Sequence, residues 1–236
     1  MDAKDAVDKA KDEIPENRPK AIRPKLASSL ILTRQSRKNG TEILFGRRSG
    51  KHAFMPQKYV FPGGRVDRGD GYAPLGREPR KELIETCCKI VTPHRARAAA
   101  AAALRETAEE TGLLIAVPGA CSAERTQWRM FADAGVAPDA EALKVIARAV
   151  TPPGRTRRFD TWFFTADAEA LQGSSDPTSN GELEDLRWVA MDDAKSLDIP
   201  IITHFVLDEL KQHLDQTAEG VRSFRMDGKE PKVTIL

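Results

Sequence analysis

Arg105-Glu106-Thr107-Ala108-Glu109-Glu110-Thr111-Gly112-Leu113, with the earlier loop Phe61-Pro62-Gly63-Gly64, is the stretch from which the rest of this 236-residue chain can be read. On a helix at about 100° per residue, Glu110 lies about 40° and Glu109 about −60° from Glu106, so three carboxylates share one arc. Like charges this close disfavour their own ionisation unless a cation screens them. Hard oxygen donors suit Mg²⁺ or Mn²⁺, which keep waters and bridge to substrate phosphates. Arg105 stands one turn before Glu109 and can brace it from the side. Gly112 occupies the position of a C-terminal cap. A solvated face of ordinary ion pairs is the simpler alternative. Five fixed positions, each at about 6% background usage, match by chance in roughly one window per 10⁶, which favours function.

Working back from the acidic helix, six consecutive alanines, Ala98 to Ala103, give it high helix propensity and let it pack close to a sheet. The helix is expected to begin near His94, after a break at Thr92-Pro93. Before that break, residues 79–90 read as a second helix, with Pro79 suited to a first turn. Residues 27–34 and 41–48 read as strands joined around Lys38-Asn39-Gly40, where Asn-Gly provides the positive φ of a tight hairpin. The second strand delivers Arg47 and Arg48 to a basic stretch, Ser49-Gly50-Lys51-His52, next to the Gly-Gly loop. Guanidinium groups grip phosphate bidentately, so both arginines are candidate substrate contacts against the alternative of a solvated strand end. His52 reads as a structural histidine.

Working forward, residues 122–134 suggest a helix with Trp128 and Phe131 on its buried side. Residues 145–151 and 158–166 suit strands around the Pro152-Pro153-Gly154 turn, which Arg155, Arg157 and Arg158 crowd. Arg158 is a further candidate phosphate contact. A polar loop, 167–181, leads to a strand with Leu186, Trp188 and Ala190 on one side. Asp192 can cap a short helix, and residues 200–214 read as an amphipathic helix with Phe205, Leu207, Leu210 and Leu214 inward. Residues 219–236 read as a tail or an edge strand.

Composition limits the function classes. Thirty-seven basic and 35 acidic side chains give a net charge of +2, against a general nucleic-acid or membrane surface acting by bulk charge. Residues 1–25 are poor in apolar side chains and contain Pro15, Pro19 and Pro24, which predicts a loose arm with a short helix near residues 6–11. That segment lacks the apolar core of a secretory signal, and no apolar run reaches membrane-spanning length. Cys87, Cys88 and Cys121 have no metal-type spacing and read as reduced thiols, so a soluble, cytoplasmic protein is expected. Strand pairs, a long helix, more strands and a final helix predict an α+β fold over residues 26–236, a mixed sheet between helices.

These residues resemble the signature of Nudix hydrolases: Gly, five residues, Glu, seven residues, then Arg-Glu-aliphatic-any-Glu-Glu-any-Gly-aliphatic. Gly64 matches the first position and Arg105 to Leu113 the end, with Thr107 where an aliphatic residue is usual. Asp70 stands where the family has Glu. Between it and Arg105, 34 residues replace seven, an insertion of 27, placed at about 71–97. With the run 52–67 and residues 158–164, the chain is similar to a Nudix branch having an expanded box, whose mammalian peroxisomal member is a coenzyme A diphosphatase.

The resemblance implies the α/β/α Nudix topology and hydrolysis of a nucleoside diphosphate linked to another moiety. It implies Mg²⁺ or Mn²⁺ held by the Gly64 carbonyl, Glu106, Glu109 and Glu110, with Arg105 in the catalytic box. The family often adds a carboxylate from outside the box, for which Glu182 and Glu184 are candidates, and Asp70 is another candidate base or ligand. Glu106, Glu110, Glu182 and Glu184 all stand as candidate bases. Similarity to the expanded-box branch favours coenzyme A or acyl-coenzyme A; ADP-ribose, NADH and nucleotide sugars are alternatives. A non-catalytic nucleotide sensor and a hydrolase of capped RNA or mutagenic nucleotides are others. The three crowded carboxylates weigh against the sensor, and the near-neutral charge weighs against the RNA enzyme. The insertion is a candidate for shaping the pocket or for joining a second subunit in a homodimer.

Overall fold

The computed structural model describes residues 22–50, 56–121, 126–227 and 230–236. The expected arm through residue 21, with its short helix, lies outside the described residues, as do His52 and residues 122–125.

β1 (Lys25–Ser36) and β2 (Gly40–Arg48) form the expected hairpin, longer than read. They pair antiparallel from Thr33↔Ile43 to Ser36↔Gly40, and Gly40 alone takes the positive φ of the turn, +66°. β3 (Tyr59–Val60) adds to β2, and β4 (Gly63–Arg65) adds to β1. The remaining strands of this sheet are β7 (Lys144–Val150), β8 (Phe159–Asp167), β10 (Leu183–Ala190), β11 (Arg222–Asp227) and β12 (Glu230–Ile235). The main path runs β10-β2-β1-β8-β7-β11-β12, with β1 parallel to β8, β11 parallel to β7, and the other pairs antiparallel. β11 and β12, paired antiparallel, therefore form this edge of the sheet. A smaller sheet orders β6 (Val136–Pro138), β5 (Leu114–Pro118) and β9 (Leu171–Gln172).

Period-2 alternation loads both faces of the main sheet. Leu30, Leu32, Leu44, Trp162 and Phe164 point to one side, where they meet α1 (Lys81–Cys88) and α2 (Pro93–Thr111). Ile31, Ile43, Phe45 and Phe163 point to the other side, against Phe205, Val206 and Leu210 of α4 (Ile201–Leu214). The result is the expected mixed sheet between helices.

Local chemistry sets the bounds of α2. Thr92 caps its start by accepting from Arg95 N, and Pro93 takes the first turn, where no N–H is needed. At the end Gly112 adopts φ +71° and its N–H reaches Ala108 O at 2.9 Å. Ala98 to Ala103 are all buried, and the close approach they allow puts Ser28 Oγ 2.6 Å from Ala99 O. Thr107, where an apolar residue is usual, is tolerated in the buried face because its hydroxyl donates to Ala103 O at 2.8 Å.

Three local expectations differ from the structure. The segment ending at residue 134 is a 3-10 turn, Thr126–Trp128, followed by the short α3 (Arg129–Asp133). Trp128 and Phe131 are buried as expected, with ring centroids 5.7 Å apart. Asp193, and not Asp192, stands before the 3-10 turn Ala194–Ser196, with no side-chain capping bond. Leu214 is exposed, because α4 has run past the edge of the core it covers.

Candidate active site

The acidic end of α2 lies beside β4, whose two glycines let the backbone reach the helix. Gly63 N–H donates to Glu110 Oε2 at 2.8 Å. A Cβ on Gly64 would lie 2.5 Å from the carboxylate carbon and both oxygens of Glu106, so only glycine leaves room for that side chain against the strand.

Arg105 organises the helix side. Its Nε and Nη2 bind Asp70 Oδ1 and Oδ2 at 2.8 and 3.1 Å, and Nη2 also reaches Arg65 O at 3.1 Å. Nη1 stands 2.9 Å from both Glu106 Oε1 and Glu109 Oε2. One buried guanidinium thus ties the helix to β4 and to the 3-10 turn Asp70–Tyr72 that starts the insertion. Asp70 is fully buried and accepts further bonds from Asp67 N at 2.8 Å and Gln127 Nε2 at 3.4 Å. The insertion is anchored on the same helix, since Arg97 donates to Gly71 O and Ala73 O at 3.0 Å.

The two arginines ending β2 part company because successive strand residues face opposite sides. Arg48 lies on the α2 side. Burial pulls its pKa down, and the charges of Glu110, Glu182 and Glu106 push it back up. Arg47 lies on the α4 side, paired with Glu184 at 3.6 Å. Arg158 sits four residues before Trp162, which is level with Ser28 and hence with Gly64 across β1. Its Nε and Nη1 donate to Thr151 O at 3.0 Å and Ile22 O at 2.7 Å, so it holds the N-terminal edge of the sheet. Of the three candidate substrate arginines, the structure brings only Arg48 to the acid cluster.

Glu182 and Glu184, two positions apart, are not separated by strand pleating; Glu184 lies within β10 and Glu182 just before it. Glu182 precedes β10, takes Ser49 N–H on its carbonyl at 3.1 Å, and its charge is felt by Glu109, Glu110 and Arg48. Glu184 is held by Arg47 on the other face. The structure also adds contacts for which the sequence carried no periodic or motif signal. Thr178 N donates to Thr111 O at 2.7 Å, docking the polar loop on the end of α2, and Gln127 reaches Asp70.

The electrostatics are unbalanced. Asp70, Glu106, Glu109, Glu110 and Glu182 face Arg105 and Arg48, five carboxylates against two guanidiniums. Burial first, then the neighbouring carboxylates, pushes Glu110 up to about 8 against the Gly63 N–H that favours its anion. Burial likewise pushes Glu106 up to about 7, with Arg105 opposing it. Glu109 is raised by burial as well. Burial acts against the Arg105 cation too, but Asp70, Glu106 and Glu109 overrule it and hold its pKa above the usual range.

Among the described residues no group of three or more His, Cys, Asp or Glu side chains is arranged to hold a metal ion as it stands. The donor set is open: carboxylates lacking counter-charge, beside a glycine strand whose main chain lies within reach of one of them. That chemistry fits a hard divalent cation that keeps its waters and takes few protein oxygens.

Comparison with known proteins agrees with this geometry. Residues 94–205 match the NUDIX domain model. The chain is 26% identical over 218 residues to an acyl-coenzyme A diphosphatase, NUDT19, of Xenopus laevis, an alignment covering 69% of this chain. The chain spans 57% of the length of that curated relative. Among solved structures, a NUDIX hydrolase from Alicyclobacillus acidocaldarius superposes with a TM-score of 0.60 at 26% identity, over 79% of this chain and 90% of that one.

Proposed function

We propose that the chain, whose residues 94–205 match the NUDIX domain model and whose fold is similar to that of a NUDIX hydrolase, is a metal-dependent Nudix hydrolase of a nucleoside diphosphate linked to another moiety, with coenzyme A or an acyl-coenzyme A as substrate class. The observation that carries this reading is the placing of Glu106 against Gly64 and of Glu110 on the Gly63 N–H, with Glu109 on the same helix and sharing Arg105 with Glu106. Carboxylates gathered in this way ask for a cation, and the cation offers a phosphate-binding face. The substrate class leans on likeness to the acyl-coenzyme A diphosphatase and is the more specific part of the proposal.

In this reading Glu106, Glu109, Glu110 and the Gly64 carbonyl would hold Mg²⁺ or Mn²⁺. Once bound, the ion supplies charge for the phosphoryl oxygens and a more acidic water. The chain's own residues do the remaining work. Arg105, fixed by Asp70, holds the rotamers of Glu106 and Glu109. Gly63 N–H aims the Glu110 carboxylate toward β4. Arg48, the one basic candidate on this side of the sheet, offsets part of the negative charge of the acid cluster and would face an incoming diphosphate. Glu182 stands at the rim as a carboxylate outside the helix and is placed to accept a proton from an attacking water.

The test is product analysis by mass spectrometry after incubation with Mg²⁺ or Mn²⁺ and a panel of coenzyme A, acetyl-coenzyme A, ADP-ribose, NADH, nucleotide sugars and nucleoside triphosphates. Selective cleavage of the coenzyme A compounds at the diphosphate is expected. Selective cleavage of another diphosphate would retain the reaction and replace the substrate class. No turnover by folded, metal-binding protein would refute the enzyme.

A further inference from the structure

Arg97, in the early turns of α2, makes four hydrogen bonds with one guanidinium. Its Nε and Nη2 grip Glu78 Oε2 and Oε1, both at 2.7 Å, in the fork geometry that fixes the plane of the group. Held in that plane, Nη1 donates to Gly71 O and Nη2 also donates to Ala73 O, each at 3.0 Å. A lysine ammonium, a point charge without the planar fork, could not reproduce this set. Glu78 is 61% exposed, but the backbone just before it is pinned: Gly76 N donates to Pro138 O at 2.8 Å, and Arg77 O accepts from Ala140 N at 3.1 Å. An ion pair this open to water adds little to global stability, so its larger effect is the aim it gives Arg97.

The two carbonyls belong to the turn that carries Asp70. That turn is closed on itself: Tyr72 N reaches Gly69 O at 3.0 Å, Ala73 N reaches Asp70 O at 3.1 Å, and Asp70 Oδ2 takes Asp67 N at 2.8 Å. It lies flat on the helix, since a Cβ on Gly71 would run into the His94 imidazole and the Tyr72 ring meets that imidazole edge-on at 5.3 Å. So compact a unit moves as one body. Arg105 holds it through Asp70, and Arg97 holds it from eight residues earlier, about 12 Å back along the helix axis. Tied at both places, the turn has one orientation. Tied at Arg105 alone, it can pivot about the Asp70 carboxylate, and the guanidinium that carries Glu106 and Glu109 pivots with it. Apart from the peptide bond between Asp70 and Gly71, every link from Glu78 to the acidic residues is a direct hydrogen bond or ion pair.

We propose that Arg97 is a positioning residue: aimed by Glu78, it seats the Asp70 turn on α2 and through Asp70 fixes the Arg105 guanidinium against Glu106 and Glu109. The start of the insertion is then a brace for the acidic helix. The consequence for metal binding rests on the reading of Glu106 and Glu109 as metal ligands; the seating of Arg105 does not.

Exchange of the Arg105 Nε–H proton with water, followed by ¹H–¹⁵N magnetic resonance on the full chain, tests the brace without metal or substrate. Arg97→Ala is expected to speed that exchange about tenfold, because the contact with Asp70 opens more often. Arg97→Lys keeps the charge, loses the fork, and should behave like Arg97→Ala. Glu78→Ala, at an exposed position where folding is not at risk, should speed exchange about threefold. Phe205→Leu, in the buried cluster on the α4 side, lowers stability and should leave the Arg105 proton as in wild type. Mn²⁺ affinity, read by electron paramagnetic resonance, should fall about threefold in Arg97→Ala, and no further when Arg97→Ala is added to Arg105→Lys. Unchanged Arg105 exchange in Arg97→Ala and Glu78→Ala, or equal acceleration in Phe205→Leu, overturns the brace, and so does full rescue by Arg97→Lys. If Arg105 responds as expected while the wild-type chain binds no Mn²⁺, the brace stands and the metal reading falls.

Discussion

Gly63 and Gly64 are adjacent, yet adding one methyl group to each should damage different properties. At Gly64 the new Cβ would sit 2.5 Å from the carboxylate atoms of Glu106, and ordinary contact begins at about 3.4 Å, so the carboxylate must retreat by close to 0.9 Å. What moves is the end of a flexible side chain, 15% exposed, so the cost to folding is expected to stay below about 1 kcal/mol. A misplacement of about 1 Å at a reacting centre costs about 10²-fold in rate, or about 2.7 kcal/mol of barrier. Gly63→Ala instead meets backbone: Ser28 O and, at 2.6 Å, Ser29 Cα, with the residue at φ +155°. Nothing there can yield cheaply, and about 3 kcal/mol of stability should be lost. Urea unfolding, Mn²⁺ titration and turnover on the best substrate of the panel separate the two. Gly64→Ala with wild-type Mn²⁺ affinity and rate would refute the cradle, as would equal destabilisation by both substitutions.

Further outcomes follow from the same site. Glu110→Gln keeps the Gly63 contact through its amide oxygen and should fold normally while losing at least about 10²-fold in turnover; full activity would remove Glu110 from the metal site. Without metal, the folded chain holds Glu106 at about 7 and Glu110 at about 8, both above the unfolded value of 4.5. The native state therefore binds protons that the unfolded chain has released, and stability must fall as pH rises from about 4.5 to 8. Calorimetry should show a Tm that declines across that window, a flatter profile in Glu110→Gln, and a larger Mg²⁺-induced rise at pH 8.5 than at pH 5.5. Asp70→Asn leaves the buried Arg105 short of its main partner and should cost about 3 kcal/mol in urea unfolding, with loss of turnover. Ala100→Leu, at a fully buried position of α2, should destabilise by about 2 kcal/mol or more through overpacking against the sheet, measured in the same way.

Much of this protein was decided by short-range chemistry and was legible in the chain. The acidic arc of α2, its proline start and glycine stop, the alanine tract and the brace of Arg105 on Glu109 all lie within a few helical turns, where spacing maps directly onto geometry. The hairpin of β1 and β2 and the alternation that fills both sheet faces are of the same kind. Tertiary structure alone decided the contacts whose partners are distant in sequence. Asp70 reaches Arg105 across 35 positions, with the whole insertion between them. Arg47 and Arg48 look equivalent as neighbours, but strand pleating sends one to each side of the sheet. Arg158, a candidate phosphate contact in the sequence, donates in the fold to the carbonyls of Thr151 and Ile22. Glu182 and Glu184 have equal standing in the sequence; the fold pairs Glu184 with Arg47 inside β10, while Glu182 precedes that strand and its charge acts on Glu109 and Glu110. Helix periodicity is a property of the local backbone, whereas the side of a sheet that a residue faces depends on register, and register is set by partners that only the folded chain brings together.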